Sequence, residues 1–458
     1  MKVYDNSPIR IQNFLMRLES YRLNKKRYGS VYSDYLTELE NKDYTDLKRA
    51  RENQQQEMKK LIAHAVSNSK FYREFYKHVD LESIQTINDL KKLPILEKET
   101  VRERSQDIYT VPEEHAIPSN TSGTSGIPLR VLYTKEDVQK RMAHLDFFKK
   151  QHGVTHLEMK RASFSGTHFI PKRQKARVYW RDNKGIKQRL YSSYYCHEDT
   201  ARDFAENLNI YKPDFLDGIP SAIYQVAKWI NANNYPLTYQ PIAIFATGET
   251  VYPYYRQEIE KAFGCPMRNQ YSSSEGAPFI AECTNGKLHY NLDTGIIEIT
   301  EKKEMLVTCF NTYGTPLIRY NIGDWVEMET ETAGQVCGCG SAYPIVKEIH
   351  GRTSDYLISK SGRKFTAYFM SIVNEKFVNK IQKMQFIQKE RDTIIALLEV
   401  GENAGEIEDA VAAVKDELVY MLGEDIKIDL QIVRKIPVND NGKYRLVINE
   451  LTKDGVTV

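Results

Sequence analysis

The chain has 458 residues, 41% of them hydrophobic and 27% charged, a length that suits a large catalytic domain with a smaller one. Sixty-four Lys and Arg scattered against 61 Asp and Glu leave no basic footprint for nucleic acid. No apolar run reaches the roughly 18 residues a membrane span needs, and residues 1–10 lack the apolar core of an export signal, so a cytoplasmic address is expected.

Residues 1–110 are rich in Lys, Glu, Leu and Tyr and poor in glycine, with helical spacing most evident from Leu47 to Tyr76; they read as a helical preamble. Pro94 ends the segment that begins at Ile87. A stretch of small residues follows, Thr121, Ser122, Gly123, Thr124, Ser125 and Gly126, where backbone N–H groups and hydroxyls can face phosphate oxygens without obstruction. Composition alone leaves a plain polar turn equally open. From 130 to 330, short β-rich runs such as Ala243–Ala246 alternate with helical patterns at Ser221–Asn231 and Tyr254–Phe263, which predicts an α/β domain. Beyond Gly351, strands at Met384–Gln388, Thr393–Val400 and Ile426–Val433 with a helix at Glu406–Leu422 predict a small α+β domain. The expected division is 1–350, a hinge at 351–356, and a mobile domain at 357–458.

Six cysteines without an export signal do not suggest a disulfide framework. Cys283 and His289 stand six apart, Cys337 and Cys339 two apart, and together they make a Cys₃His set that suits tetrahedral Zn²⁺. The spacing is not a Cys-x₂-Cys knuckle, so reduced, unliganded thiols remain the alternative to a closed structural zinc site.

In chain order the sequence also contains Thr247-Gly248-Glu249, Tyr271-Ser272-Ser273-Ser274-Glu275-Gly276, Arg319-Tyr320-Asn321-Ile322-Gly323-Asp324, Gly351-Arg352-Thr353-Ser354-Asp355 and Asn441-Gly442-Lys443. With the Thr121–Gly126 loop, this ordered set resembles the adenylate-forming superfamily of acyl-CoA synthetases, luciferases and amino-acid-activating domains. Within it the chain is most similar to phenylacetate-CoA ligase-like proteins, including the branch associated with capsular polysaccharide biosynthesis. No lysine follows Gly126, so the loop is not a Walker motif.

The resemblance implies the fold: a large α/β N-terminal domain of the adenylate-forming type and a small α+β C-terminal domain. It also implies roles. The 121–126 loop would meet ATP phosphates, Ser272 and Ser274 would belong to the ATP site, and Glu275 would hold Mg²⁺, a hard cation suited to carboxylate oxygen. Tyr271 would face adenine with Gly248 and Glu249 across the base, Asp324 would accept from both ribose hydroxyls, and Arg352 and Arg319 would support that wall. Lys443 would bring an ammonium to the carboxylate and the α-phosphate as charge develops, the bland alternative being a surface lysine in a turn. By analogy the acid lies among Phe164, Ser165, Gly166, Gly218, Ser273 and Gly276. The family's small domain rotates between half-reactions; its hinge residue is usually Asp or Lys, and here it is Ser354.

The expected reaction is ATP-dependent formation of an acyl-AMP from a small carboxylic acid, with transfer to CoA. An amide- or ester-forming ligase acting on an amine or hydroxyl of a sugar precursor is the alternative, and a non-catalytic ATP-binding descendant the third reading.

Overall fold

The computed structural model describes residues 2–120, 129–171, 174–301, 303–329, 335–352, 355–377, 380–400, 407–439 and 442–451. Helices dominate the first hundred residues: α1 (Ile9–Arg27), α2 (Ser30–Asn41), α3 (Leu47–Asn68) and, after several short turns, α4 (Lys98–Glu103). The periodic run expected to continue from Leu47 to Tyr76 is interrupted at Ser69, whose hydroxyl accepts from Tyr72 N–H and restarts the helix at Lys70. A side-chain cap there competes with the i−4 ladder.

A hairpin of β1 (Ile117–Asn120) and β2 (Arg130–Tyr133) precedes α5 (Lys135–Gln151), which Thr134 and Asp137 cap reciprocally. A six-stranded sheet follows: β3 (Arg161–Ser165), β4 (Trp180–Asn183), β5 (Gln188–Ser192), β6 (Phe215–Gly218), β7 (Ile244–Ala246) and β8 (Met267–Arg268). Its order is β4-β5-β3-β6-β7-β8, parallel except for β4. The crossovers are α6 (Glu198–Tyr211), α7 (Pro220–Ala232) and α8 (Pro253–Phe263), the last two opening on proline at the first helical position.

A five-stranded antiparallel sheet joins β9 (Gln270–Tyr271), β10 (Ile280–Glu282) and β11 (Leu288–Tyr290) to two later strands. A three-stranded sheet of β12 (Gly295–Ile299), β13 (Met305–Cys309) and β14 (Tyr320–Asn321) intervenes before β15 (Asp324–Met328) and β16 (Ile345–Arg352) complete the order β15-β16-β11-β10-β9. The C-terminal part holds a two-stranded ribbon of β17 (Tyr356–Ile358) and β18 (Lys364–Thr366), then α9 (Ala367–Phe377), β19 (Lys383–Glu390), β20 (Thr393–Glu399), α10 (Ile407–Leu422), β21 (Lys427–Val433) and β22 (Val447–Asn449). The last four strands pair in the order β21-β20-β19-β22. The large α/β part and the small α+β part are those the motif order implies.

The two parts are closely packed. One apolar cluster runs from Ile223 and Tyr255 of the large sheet's helices to Met370, Phe386 and Leu446 beyond the junction. Asn374 donates to the Tyr254 hydroxyl at 2.6 Å across that contact. The expected hinge residues Thr353 and Ser354 lie outside the described residues.

Candidate active site

A cavity of about 640 Å³ opens between the two parts, walled by the start of β1, the Thr247–Tyr252 turn, the Tyr271–Glu275 turn, the β15–β16 ends and the Lys443 turn. Asp324 opens β15 and pairs in register with Arg352 at the end of β16, with Gly323 and Gly351 at positive φ beside them. Arg352 Nε lies 3.2 Å from Asp324 Oδ1, and Tyr271 Oη donates to Asp324 Oδ2 at 2.7 Å. Burial first, and Asp324 second, push the Tyr271 phenol well above its ordinary range; Asp324 is the main cause that raises Arg352. A carboxylate offers four lone-pair directions, so Asp324 keeps acceptor capacity after both contacts.

The Ser272–Glu275 turn is braced from the hairpin side. Tyr133 Oη donates to Ser274 O at 2.6 Å, and Arg141 of α5 donates to Ser273 O at 2.9 Å. Glu275 is 2% exposed, its carboxylate 3.2 Å from Lys98 Nζ at the start of α4. A buried carboxylate needs such a partner, and no motif marks Lys98 among the 64 basic residues of the chain.

Lys443 reaches the cavity on a tight turn. Gly442 N–H and Lys443 N–H donate to the Asn439 carbonyl and side-chain oxygens, each at 2.9 Å, and Gly442 has φ +66°. Glu249 fastens this turn to the large domain: Oε1 accepts from Tyr444 N–H at 2.7 Å while Oε2 accepts from Ser221 N–H at 3.1 Å near the start of α7. The lysine side chain runs over Gly248, where a Cβ would stand 3.4 Å from Nζ. Burial lowers the Lys443 ammonium from its ordinary range, opposed by Glu249, Asp324 and Glu275 and reinforced by Arg352. Lys443 lines the cavity together with Gly248, Glu249, Glu275, Asp324 and Arg352.

Several expected site residues are elsewhere. Arg319, at φ +50°, turns away from the cavity; its Nε lies 3.1 Å from both Glu298 oxygens and its guanidinium also donates to Leu93 O, tying β14 to the helical segment. Phe164 is 1% exposed and stacks on Tyr191 at 5.1 Å, because strand alternation turns it into the core. Gly218 allows close passage of β6 past β3, where a Cβ would stand 2.1 Å from Phe164 O. Ser165 bonds Thr167, and Gly166 backs the Gly442 turn. Gly276 fills a space bounded by Thr312 and Arg141. None of these six lines the cavity, whereas Ser273 does. Thr121, Ser122, Gly123, Thr124, Ser125 and Gly126 lie outside the described residues; Ile117–Ser119, just before them, line the wall.

A second cluster is built on two tight turns. Cys283 N–H bonds Lys287 O at 2.8 Å, and Cys337 N–H bonds Ser341 O at 2.8 Å. The turns bring the ligand atoms of Cys283, His289, Cys337 and Cys339 within 4.8 Å of one another. Zn–S bonds of about 2.3 Å place tetrahedral thiolates about 3.8 Å apart, so the donor set fits zinc. His289 Nδ1 sits 2.9 Å from Tyr343 O, which leaves Nε2 facing the sulfurs.

The chain superposes on 2-hydroxyisobutyryl-CoA ligase in its postadenylation state with R3-HIB-AMP, at a TM-score of 0.71 and 15% identity, over 89% of this chain and 91% of that one. Against the same ligase with 2-HIB-AMP and CoA in the thioesterification state, the score is 0.55 at 16% identity over the same shares. The fold is therefore that of the adenylate-forming CoA ligases. Protein CapK of Staphylococcus aureus is 34% identical over 461 residues, spanning 98% of this chain and 99% of that protein. The CapK C-terminal domain model matches residues 357–450. The chain belongs to the CapK family. No helix among the described residues is long and apolar enough to cross a membrane.

Proposed function

We propose that this protein is an adenylate-forming ligase of the phenylacetate-CoA ligase-like kind, which activates a small carboxylic acid as acyl-AMP in the cytoplasm. The observation that carries the reading is the insertion of Lys443 over Gly248, in the same cavity as Glu275, Asp324 and Arg352. In the reaction, a carboxylate oxygen attacks the α-phosphorus of ATP, the α–β P–O bond breaks and pyrophosphate leaves. Lys443 offsets the charge shared by the attacking oxygen and the α-phosphate. The remaining acceptor capacity of Asp324 suits the ribose hydroxyls, and Tyr271 holds that carboxylate in place.

Glu275 is the residue that would hold Mg²⁺, which would draw phosphate charge away from the reacting centre. Its carboxylate lines the cavity and is a hard oxygen donor of the kind that ion takes, with Lys98 balancing its charge until the ion binds. The Cys₃His cluster would hold a structural zinc, pinning the β10–β11 turn to the segment that leads into β16. In the second half-reaction the acyl carbon is attacked by a thiol, amine or hydroxyl, which loses its proton as AMP departs. CoA is the acceptor in this reading. A second reading, in keeping with the name of the CapK family, transfers the acyl group to an amine or hydroxyl of a capsular or other polysaccharide precursor.

Carboxylate-dependent exchange of labelled pyrophosphate into ATP, run over a panel of acids, tests the first step. Exchange with at least one acid, lost by 10²-fold or more in Lys443→Ala, is expected. ATP binding without exchange for any acid would leave only the non-catalytic reading.

A further inference from the structure

The charge balance of the cavity wall is uneven. Its carboxylates are all engaged: Glu249 by two N–H groups, Glu275 by Lys98, Asp324 by Tyr271 and Arg352, and Asp355 by Arg445. At the end formed by α1 and α5, three cations line the wall instead, Lys26 and Arg27 with Arg141. Among the described residues no carboxylate forms an ion pair with any of the three, and Arg141 is held to the wall only by Ser273 O and the Tyr133 ring, 5.1 Å away. Apolar Leu23, Val138 and Met142 line the cavity as well, so α1 and α5 together give it both apolar and cationic lining.

Of the residues expected around the acid, Ser273 lines the cavity, and it is the Ser273 carbonyl to which Arg141 donates. We infer that the acid taken by this site carries a second anionic oxyacid group, a carboxylate or a phosphate, bound by Arg141 with Lys26 and Arg27 while the reacting carboxylate faces Lys443. A planar guanidinium fixed by one N–H to a carbonyl retains donors for a paired interaction with such a group. The inference rests on the adenylation reading.

The test compares a short aliphatic dicarboxylic acid with its monoamide, and a phosphonocarboxylic acid with its neutral ester, in pyrophosphate exchange by the full-length protein. The dianions are expected to be preferred in kcat/KM by roughly 10–100-fold, the range of one or two charge-assisted hydrogen bonds. The stronger of the two dianions identifies the group. In Arg141→Met the preference should fall towards unity while KM for ATP changes by less than about 3-fold; Arg141→Lys should keep part of it. A melting curve on each variant separates misfolding from lost recognition. Equal use of dianion and monoamide, or variants that raise KM for ATP and leave acid preference intact, would overturn the inference. If no acid supports exchange, calorimetric binding of the same pair still decides: identical Kd values for dianion and monoamide overturn it.

Discussion

Replacing Glu249 by Gln keeps the side chain's shape and removes half of its acceptor capacity. The carboxylate accepts from Tyr444 N–H at 2.7 Å and from Ser221 N–H at 3.1 Å, and burial raises its pKa. A glutamine can accept from only one of those groups, and its NH₂ then faces the other donor. Hydrogen bonds to charged groups contribute about 1.5–3 kcal/mol, and a buried donor left unmatched costs a similar amount. Loss of about 2 kcal/mol from the contact that seats the Lys443 turn would lower the seating equilibrium constant roughly 30-fold, and the seated population about 15-fold where seating is near balance. Pyrophosphate exchange should therefore fall by 10-fold or more, with little change in thermal stability. Transfer from a pre-formed acyl-AMP, which does not require the seated lysine, should be far less affected. Glu249→Gln with wild-type exchange, in a protein where Lys443→Ala is inactive, would refute the clamp.

Removing zinc with a strong chelator, or Cys337→Ser, should loosen the β11–β16 region and lower the melting temperature; elemental analysis of the purified protein should find one zinc per chain. Arg319→Met should destabilise the fold by about 3 kcal/mol in urea, since it strands the half-buried Glu298 carboxylate, and should leave KM for ATP unchanged. His144 is buried against Tyr35, and desolvation pushes it down to about 4 from 6.5. A depressed folded value means the unfolded chain binds the extra proton first, so stability is complete above pH 6.5 and declines by about 3 kcal/mol as pH falls towards 4. His144→Gln should flatten that part of a melting-temperature profile. Lys443, lowered by burial, should give kcat/KM for ATP an alkaline limb below the ordinary lysine range, absent in Lys443→Arg.

Lys443, Glu275, Asp324, Arg352 and the Tyr271 turn were legible because each motif is a local backbone requirement: a turn, a glycine at positive φ, a strand end. Such requirements survive as short ordered strings. The Cys₃His group was legible for a similar reason, as its spacings imply two tight turns. Phe164, Gly218 and Arg319 were misplaced because a string does not say which way a side chain faces. Strand alternation turns Phe164 inward, and a left-handed backbone turns Arg319 towards Glu298.

Lys98, Arg141, Lys26 and Arg27 carry no local signal at all, being ordinary basic residues of helical segments. The sequence by itself determined the order of the turns and the charged residues that each turn carries. The tertiary structure alone decided which helices close the cavity, and so which charges the acid meets, because that depends on packing between segments more than a hundred residues apart.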